Sequence, residues 1–148
     1  MIKFSADSEY PFLLVEDNPD DILITKRAFA AGRIYNKLYV VQNGEEAVDF
    51  IRKRGKYKDA PTPALILLDL KLPKVDGFEV LKEIKSDENL RSIPIIVLTS
   101  SEREKDIEEA YKMGCNNYIV KPVSFENFIK TVVEIRQYWL IISKIPAR

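Results

Sequence analysis

The 148-residue chain has no histidine, one cysteine and five glycines, and its 23 Lys and Arg are matched by 23 Asp and Glu. Without an imidazole it can build no Ser-His-Asp or Cys-His triad, no histidine-ligated zinc or haem site, and no histidine phosphate carrier. A lone Cys115 cannot close an intramolecular disulfide. No glycine-rich phosphate loop of either common type occurs, which disfavours nucleotide chemistry. Zero formal net charge argues against a surface that neutralises many nucleic-acid phosphates. The longest apolar runs, such as Ala64 to Leu68 and Tyr138 to Ile142, fall far short of a membrane span, and the first residues lack the apolar stretch of a signal peptide. The expectation is a cytoplasmic protein with no membrane or nucleic-acid partner. Its proton or phosphoryl chemistry must run on carboxylates, hydroxyls, lysines or a borrowed group.

What is present has the size of one domain, enough to bury about 70% of its unfolded surface. Five short apolar runs alternate with longer segments of helical period: Phe12 to Val15, Leu38 to Val41, Ala64 to Leu68, Ile93 to Leu98 and Tyr118 to Val120. The third and fourth are almost unbroken Ile, Leu and Val, as strands covered on both faces require. Asn18-Pro19 opens a first helix through about Ala31, with Asn18 as cap and Gly32 closing it. A second helix runs from about Glu45 to Arg54 with Ala47, Val48 and Ile51 on one face, and a third from Phe78 to Lys85 turns Val80, Leu81 and Ile84 inward. Ser101 and Glu104 read as a capping box for a fourth helix that ends at Met113-Gly114. The fifth starts at Ser124 and places Phe125, Phe128, Val132, Ile135, Trp139 and Ile142 on one stripe. Five alternating units with right-handed crossovers predict a doubly wound α/β fold, a five-stranded parallel sheet flanked by five helices. In such sheets ligands bind beyond the carboxyl ends of the strands.

Those ends carry chemistry. The first strand ends in Glu16-Asp17, the third in Asp69, the fourth in Thr99-Ser100-Ser101, and the fifth in Lys121-Pro122. Converging carboxylates repel and need a compensating cation or raised pKa values. Oxygen ligands without His or Cys favour a hard ion, and a site of few carboxylates plus water favours Mg²⁺ over Ca²⁺. Acids, a metal, a hydroxyl and a lysine together suit phosphoryl handling, with one carboxylate as nucleophile. Asp69, alone at the end of the most apolar strand, is the expected nucleophile, and Glu16 and Asp17 the expected metal ligands.

Four motifs in order, Val-Glu-Asp-Asn at 15 to 18, Leu-Leu-Asp-Leu-Lys-Leu-Pro-Lys-Val-Asp-Gly at 67 to 77, Leu-Thr-Ser at 98 to 100 and Tyr-Ile-Val-Lys-Pro at 118 to 122, make the chain similar to a known family. It resembles the receiver domains of two-component response regulators, of the chemotaxis-regulator (CheY-like, flavodoxin-like) type, over about residues 10 to 141. The resemblance implies strand order 2-1-3-4-5 and a division into an N-terminal extension 1–9, a receiver domain 10–142 and a C-terminal tail 143–148, with no output domain. It implies that Asp69 accepts a phosphoryl group from a histidine kinase phosphohistidine. Asp17, Asp69 and the backbone carbonyl of Lys71 would bind Mg²⁺, with Glu16 assisting through water. Lys121 would pair with phosphoryl oxygens, Thr99 would donate its hydroxyl to one of them, and Tyr118 would turn inward as Thr99 moves. Lys121-Pro122 would be a cis peptide, and Pro73 and Gly77 would shape the loop after the third strand, Gly77 through backbone freedom.

The lengthened stretch Gly55 to Pro63 and the extended last helix at Tyr138-Trp139-Leu140 resemble the stand-alone receivers that partner phytochrome-type histidine kinases. That resemblance implies a switch at the fourth helix, fifth strand and fifth helix. It also implies homodimerisation through the same face, assisted by Leu140, Ile141 and Ile142, and a downstream protein partner that the sequence does not name. Simpler readings stand beside these: helix capping for Glu16 and Asp17, capping for Thr99 and Ser101, a solvated lysine at 121, a strand aromatic at 118, and a solvated helix end for the basic cluster Arg52 to Lys58. Among functions, a haloacid-dehalogenase-type phosphatase needs a second Asp two residues after the nucleophile, where Lys71 stands. A constitutive binding module would have no use for the acidic site. The expected class is therefore a phosphoacceptor signalling protein, not an enzyme acting on other molecules.

Overall fold

Alternate residues of the central strands face opposite sides of one sheet, and this period of two divides the core in half. The structure, a computed structural model, describes residues 10–133. Its elements are β1 (Phe12–Val15), α1 (Pro19–Ala31), β2 (Leu38–Val41), α2 (Gly44–Arg52), β3 (Leu65–Leu68), α3 (Gly77–Lys85), β4 (Ile95–Thr99), α4 (Glu104–Lys112), β5 (Asn117–Val120) and α5 (Phe125–Val133), with a 3₁₀ turn at Gly55–Tyr57. All strand pairs are parallel, in the order β2-β1-β3-β4-β5. The expected doubly wound five-stranded architecture is the one observed.

Leu13, Val15, Ile66, Leu68, Ile95 and Val97 pack with Ala47, Phe50 and Ile51 of α2 and Val80, Leu81 and Ile84 of α3 on one face. Phe12, Leu14, Leu65, Leu67, Ile96 and Leu98 pack with Phe29 of α1 and Phe128 of α5 on the other. Both faces of β1, β3 and β4 are covered, so these strands carry no exposed side chain and read in sequence as continuous apolar runs. Phe128 is fully buried, with its ring centroid 4.6 Å from that of Phe29 and 6.4 Å from that of Phe12. Among the described residues, no helix is long and apolar enough to cross a membrane.

Element boundaries differ from the sequence reading where a particular group decides them. The fourth strand begins at Ile95 rather than Ile93 because Pro94 has no N–H to give a ladder; its carbonyl instead accepts from Ile66 N at 3.0 Å. The same strand runs one residue further, to Thr99, which pairs with Val120. Helix α2 starts earlier and stops earlier than expected: Asn43 caps it through Glu46 N, and Lys53 at φ 57° ends it. The expected capping box is absent. Helix α4 begins at Glu104 behind Arg103, and the Ser101 hydroxyl donates to Asp106 at 2.6 Å while accepting from Arg103 N at 3.3 Å. Asn18 does cap α1, accepting from Asp20 N at 2.9 Å and Asp21 N at 3.3 Å, and Ser124 caps α5 through Asn127 N. In the α5 stripe Phe128 is buried and Phe125 partly so; Ile135, Trp139, Leu140, Ile141 and Ile142 lie outside the described residues.

Two glycines work by having no side chain rather than by unusual torsion. At Gly32 a Cβ would strike the Phe125 ring, and at Gly77 it would strike the carbonyl oxygen of Asp69 and the Cα of Leu70. The expectation of special backbone freedom at Gly77 is thus corrected: in that loop the positive φ, 66°, belongs to Lys74. Gly77 instead lets α3 begin against the end of β3, its N–H donating to Leu70 O at 2.9 Å.

Removing the Phe128 ring should cost about 3–5 kcal/mol, the usual loss for a buried Phe→Ala change. Denaturant melts of Phe128→Ala check this; a loss below about 1 kcal/mol would contradict the packing described. Gly77→Ala should destabilise by about 1–3 kcal/mol through overpacking against backbone, and a nearly neutral Ala in the same melts would contradict the close approach of α3 to the end of β3.

Candidate functional site

Parallel pairing carries the acidic groups to one edge. The ladder continues past the strands: Glu16 N donates to Val41 O at 3.0 Å, Asp69 N to Val15 O at 3.1 Å, and Lys121 N to Thr99 O at 2.9 Å. Because Val15 stands opposite Leu68, the residues that follow, Glu16 and Asp69, emerge side by side. Carboxylate oxygens of Glu16, Asp17 and Asp69 lie within 4.8 Å of one another. Glu16 and Asp69 are buried, while Asp17 opens to solvent.

The cation among these acids is Lys121. Its Nζ lies 2.6 Å from Glu16 Oε1, 2.8 Å from Asp21 Oδ2 and 3.0 Å from Asp69 Oδ2. The ammonium donates hydrogen bonds to Asp21 and Asp69 and forms a close ion pair with Glu16. Lys121 arrives from the end of β5 across a cis Lys121-Pro122 peptide, as the sequence led us to expect. The other Glu16 oxygen accepts from Asn18 N at 3.2 Å, and Asp69 Oδ1 accepts from Lys71 N at 3.2 Å. These bonds fix both carboxylates and set the Lys71 backbone beside Asp69, with the Lys71 side chain exposed.

One ammonium does not balance Glu16, Asp17, Asp21 and Asp69. Burial, then repulsion from Asp69, pushes the Glu16 carboxyl up to about 7 against the opposing bonds from Lys121 and Asn18 N. Burial acts to lower the Lys121 ammonium, but its bonds to Asp21, Glu16 and Asp69 outweigh this and hold it above the ordinary lysine range. The site is short of positive charge, and its donors are all hard oxygens, so a divalent cation of the Mg²⁺ kind fits the residues present.

Thr99 is fully buried, and its hydroxyl has no hydrogen-bond partner among the described residues. Buried hydroxyls without partners are rare and ask for an explanation; a phosphoryl oxygen arriving at the strand edge would supply one. Tyr118 is half-buried against the α2, α3 and α4 side of the sheet, its hydroxyl donating to Ser101 O at 2.9 Å. Pro73, exposed in the loop after β3, offers its carbonyl to Gly44 N at 3.4 Å. Pro122 is exposed.

The structure therefore brings together Glu16, Asp17, Asp69 and Lys121, sets Thr99 at the end of β4 and Lys71 in the loop after β3, and leaves Tyr118 on β5 with its hydroxyl on the loop after β4. Sequence reasoning missed Asp21. It lies in the first turn of α1, where an acid is favoured near the positive helix end, so nothing in the linear order marks it as a partner of a lysine 100 positions away.

Comparison with known proteins agrees with this geometry. The family model described as "Response regulator receiver domain" matches residues 12–133. A probable methanogenesis regulatory protein, FilR2 of Methanothrix harundinacea, is 42% identical over 135 residues, spanning 91% of this chain and 86% of its own length. Response regulator Rcp1 of Synechocystis is 38% identical over 135 residues, 91% of this chain and 92% of its own, and a Mn²⁺-bound crystal form of Rcp1 superposes with a TM-score of 0.75, covering 93% of this chain and 99% of that one. The bacteriophytochrome response regulator AtBRR superposes with a TM-score of 0.79 at 44% identity, covering 85% and 91%. On its motifs, its fold and these likenesses, the chain belongs to the response regulator receiver domain family.

Proposed function

We propose that this chain is a response regulator receiver in which Asp69 accepts a phosphoryl group from the phosphohistidine of a sensor kinase. The observation that carries the reading is the Lys121 ammonium 3.0 Å from Asp69 inside a cluster of carboxylates at the carboxyl edge of a parallel sheet. An Asp69 oxygen attacks phosphorus, the bond to the donor imidazole nitrogen breaks, and the imidazole leaves with that electron pair. Attack of water on the acyl phosphate returns the carboxylate and inorganic phosphate, which ends the signal. Glu16, Asp17, Asp69 and the Lys71 backbone carbonyl would hold Mg²⁺. When bound, that ion neutralises charge on the phosphoryl oxygens.

Thr99 and Lys121 receive the phosphoryl oxygens, Thr99 by giving its unpartnered hydroxyl a partner. Drawing Thr99 toward the site moves the loop that carries Ser101, and with it the carbonyl that holds Tyr118. The loop and Tyr118 then form the two-state element at the α4, β5 and α5 face that phosphorylation biases. Pro73, Gly77 and Pro122 keep the surrounding loops in place. Residues 10–142 would form the receiver, which would pass its signal to a separate downstream protein. The likeness to the bacteriophytochrome response regulator AtBRR supports a phytochrome-type kinase as donor; a cytoplasmic setting and a homodimer through the α4, β5 and α5 face complete the proposal.

Acetyl phosphate or beryllofluoride with Mg²⁺ tests the reading. Wild type should gain one phosphoryl mass, or a raised melting temperature with beryllofluoride, and Asp69→Asn should show neither; an equal response in both proteins would defeat it. Lys121→Ala should keep only a slow residual phosphoryl response yet bind Mg²⁺ about three- to tenfold more tightly, because a competing cation leaves the carboxylates. Calorimetric titration reads this directly, and a collapse of metal affinity would mean that Lys121 organises the metal ligands instead.

A further inference from the structure

Lys121 has three carboxylate partners, and they are not equivalent. Glu16 and Asp69 belong to the group whose oxygens converge within 4.8 Å, and a dication placed there draws on the same lone pairs that Lys121 now uses. Asp21 stands outside that group. Its Oδ2 holds Nζ at 2.8 Å from the first turn of α1, and its backbone is fixed on both sides. Asp21 N donates to the Asn18 side chain at 3.3 Å, and Asp21 O accepts from the Thr25 hydroxyl at 2.9 Å. The Asp21 side chain keeps 27% of its exposure, against 12% for Lys121, 7% for Asp69 and 2% for Glu16, so it stands at the solvent side of the cluster.

We propose that Asp21 is a positioning residue, the acceptor that keeps the Lys121 ammonium at the mouth of the site once metal claims Glu16 and Asp69. The inference rests on the phosphoacceptor reading above and deepens it by naming what aims the lysine. Lysine is a compact charge on a flexible four-carbon stem. Released from Glu16 and Asp69 and left without Asp21, it would turn to solvent and be free to point away from the group on Asp69. Asp21 retains one donor and leaves two N–H groups for phosphoryl oxygens. The same anion is not among the converging metal oxygens, so it steers Lys121 without serving as a ligand of the ion.

The test compares Asp21→Ala and Asp21→Glu with wild type, each also in a Lys121→Ala background. In NMR of the Mg²⁺-loaded protein, the Lys121 ammonium should stay protected from exchange in wild type and Asp21→Glu and lose protection in Asp21→Ala. Phosphorylation by acetyl phosphate should slow about three- to tenfold in Asp21→Ala, the loss of one charge-assisted hydrogen bond, and recover in Asp21→Glu. Mg²⁺ affinity should fall by no more than about three- to tenfold, the effect of losing one nearby negative charge that is not a ligand, and rates are compared at saturating Mg²⁺. In the Lys121→Ala background, Asp21→Ala should add no further slowing, as two residues acting through one contact require. Full protection of the ammonium in Asp21→Ala would overturn the proposal, as would slowing that adds to that of Lys121→Ala or a loss of Mg²⁺ affinity far beyond about tenfold, which would mark Asp21 as a ligand. Failure of wild type itself to respond to acetyl phosphate would defeat the phosphoacceptor reading, while the ammonium signal would still decide the role of Asp21.

Discussion

The structure turns on a charge imbalance at one edge of a sheet. Four carboxylates, from Glu16, Asp17, Asp21 and Asp69, meet a single ammonium from Lys121, and two of the acids are buried. Left alone, such a group is destabilising, since each buried carboxylate needs a partner and like charges repel. The remainder of the fold holds these groups together in spite of that. The β1 to β3 ladder forces Glu16 beside Asp69, and the apolar core on both faces of the central strands keeps the ladder rigid. Gly77 lets α3 close against the carbonyl of Asp69.

Stored repulsion of this kind is useful to a protein that must respond to small ionic ligands. A dication relieves it, and in the proposed function a phosphoryl group on Asp69 adds negative charge and raises the local need for cations again, so that each event would change what Lys121 and Thr99 bond. Thr99 is suited to report the change because its hydroxyl is buried and has no partner among the described residues. The loop that follows it is tied to α4 through Ser101 and Asp106 and to β5 through Tyr118. In the proposed function a movement of Thr99 would be carried to the surface by these bonded neighbours, the path from site to partner.

Much of the fold was readable in the order of residues. Strand positions followed from unbroken apolar runs, and the architecture followed from five strand and helix units with short connections. The chain ends of β1 and β3 placed Glu16, Asp17 and Asp69 together before any coordinates. What escaped was decided by single groups or by distance through space. Pro94 moved the start of β4, the αL residue Lys53 cut α2 short, and Asp106 took the Ser101 hydroxyl away from the capping role that Glu104 suggested. Asp21 was invisible because its partner lies 100 residues away and its place near a helix start has an ordinary explanation. Gly77 was singled out for the wrong physical reason: the site uses its missing side chain and not its torsional freedom.

The central claim is that the acidic edge is short of positive charge and is completed by a divalent ion. Thermal melts with MgCl₂ against NaCl at matched ionic strength test it most directly, because a ligand that binds only the folded state raises stability by RT ln(1 + [L]/Kd). The account predicts a saturable rise in Tm with Mg²⁺, fitted by one site, that NaCl does not reproduce and that Asp17→Asn with Asp69→Asn abolishes. An identical rise with both salts, or none with Mg²⁺, would contradict it.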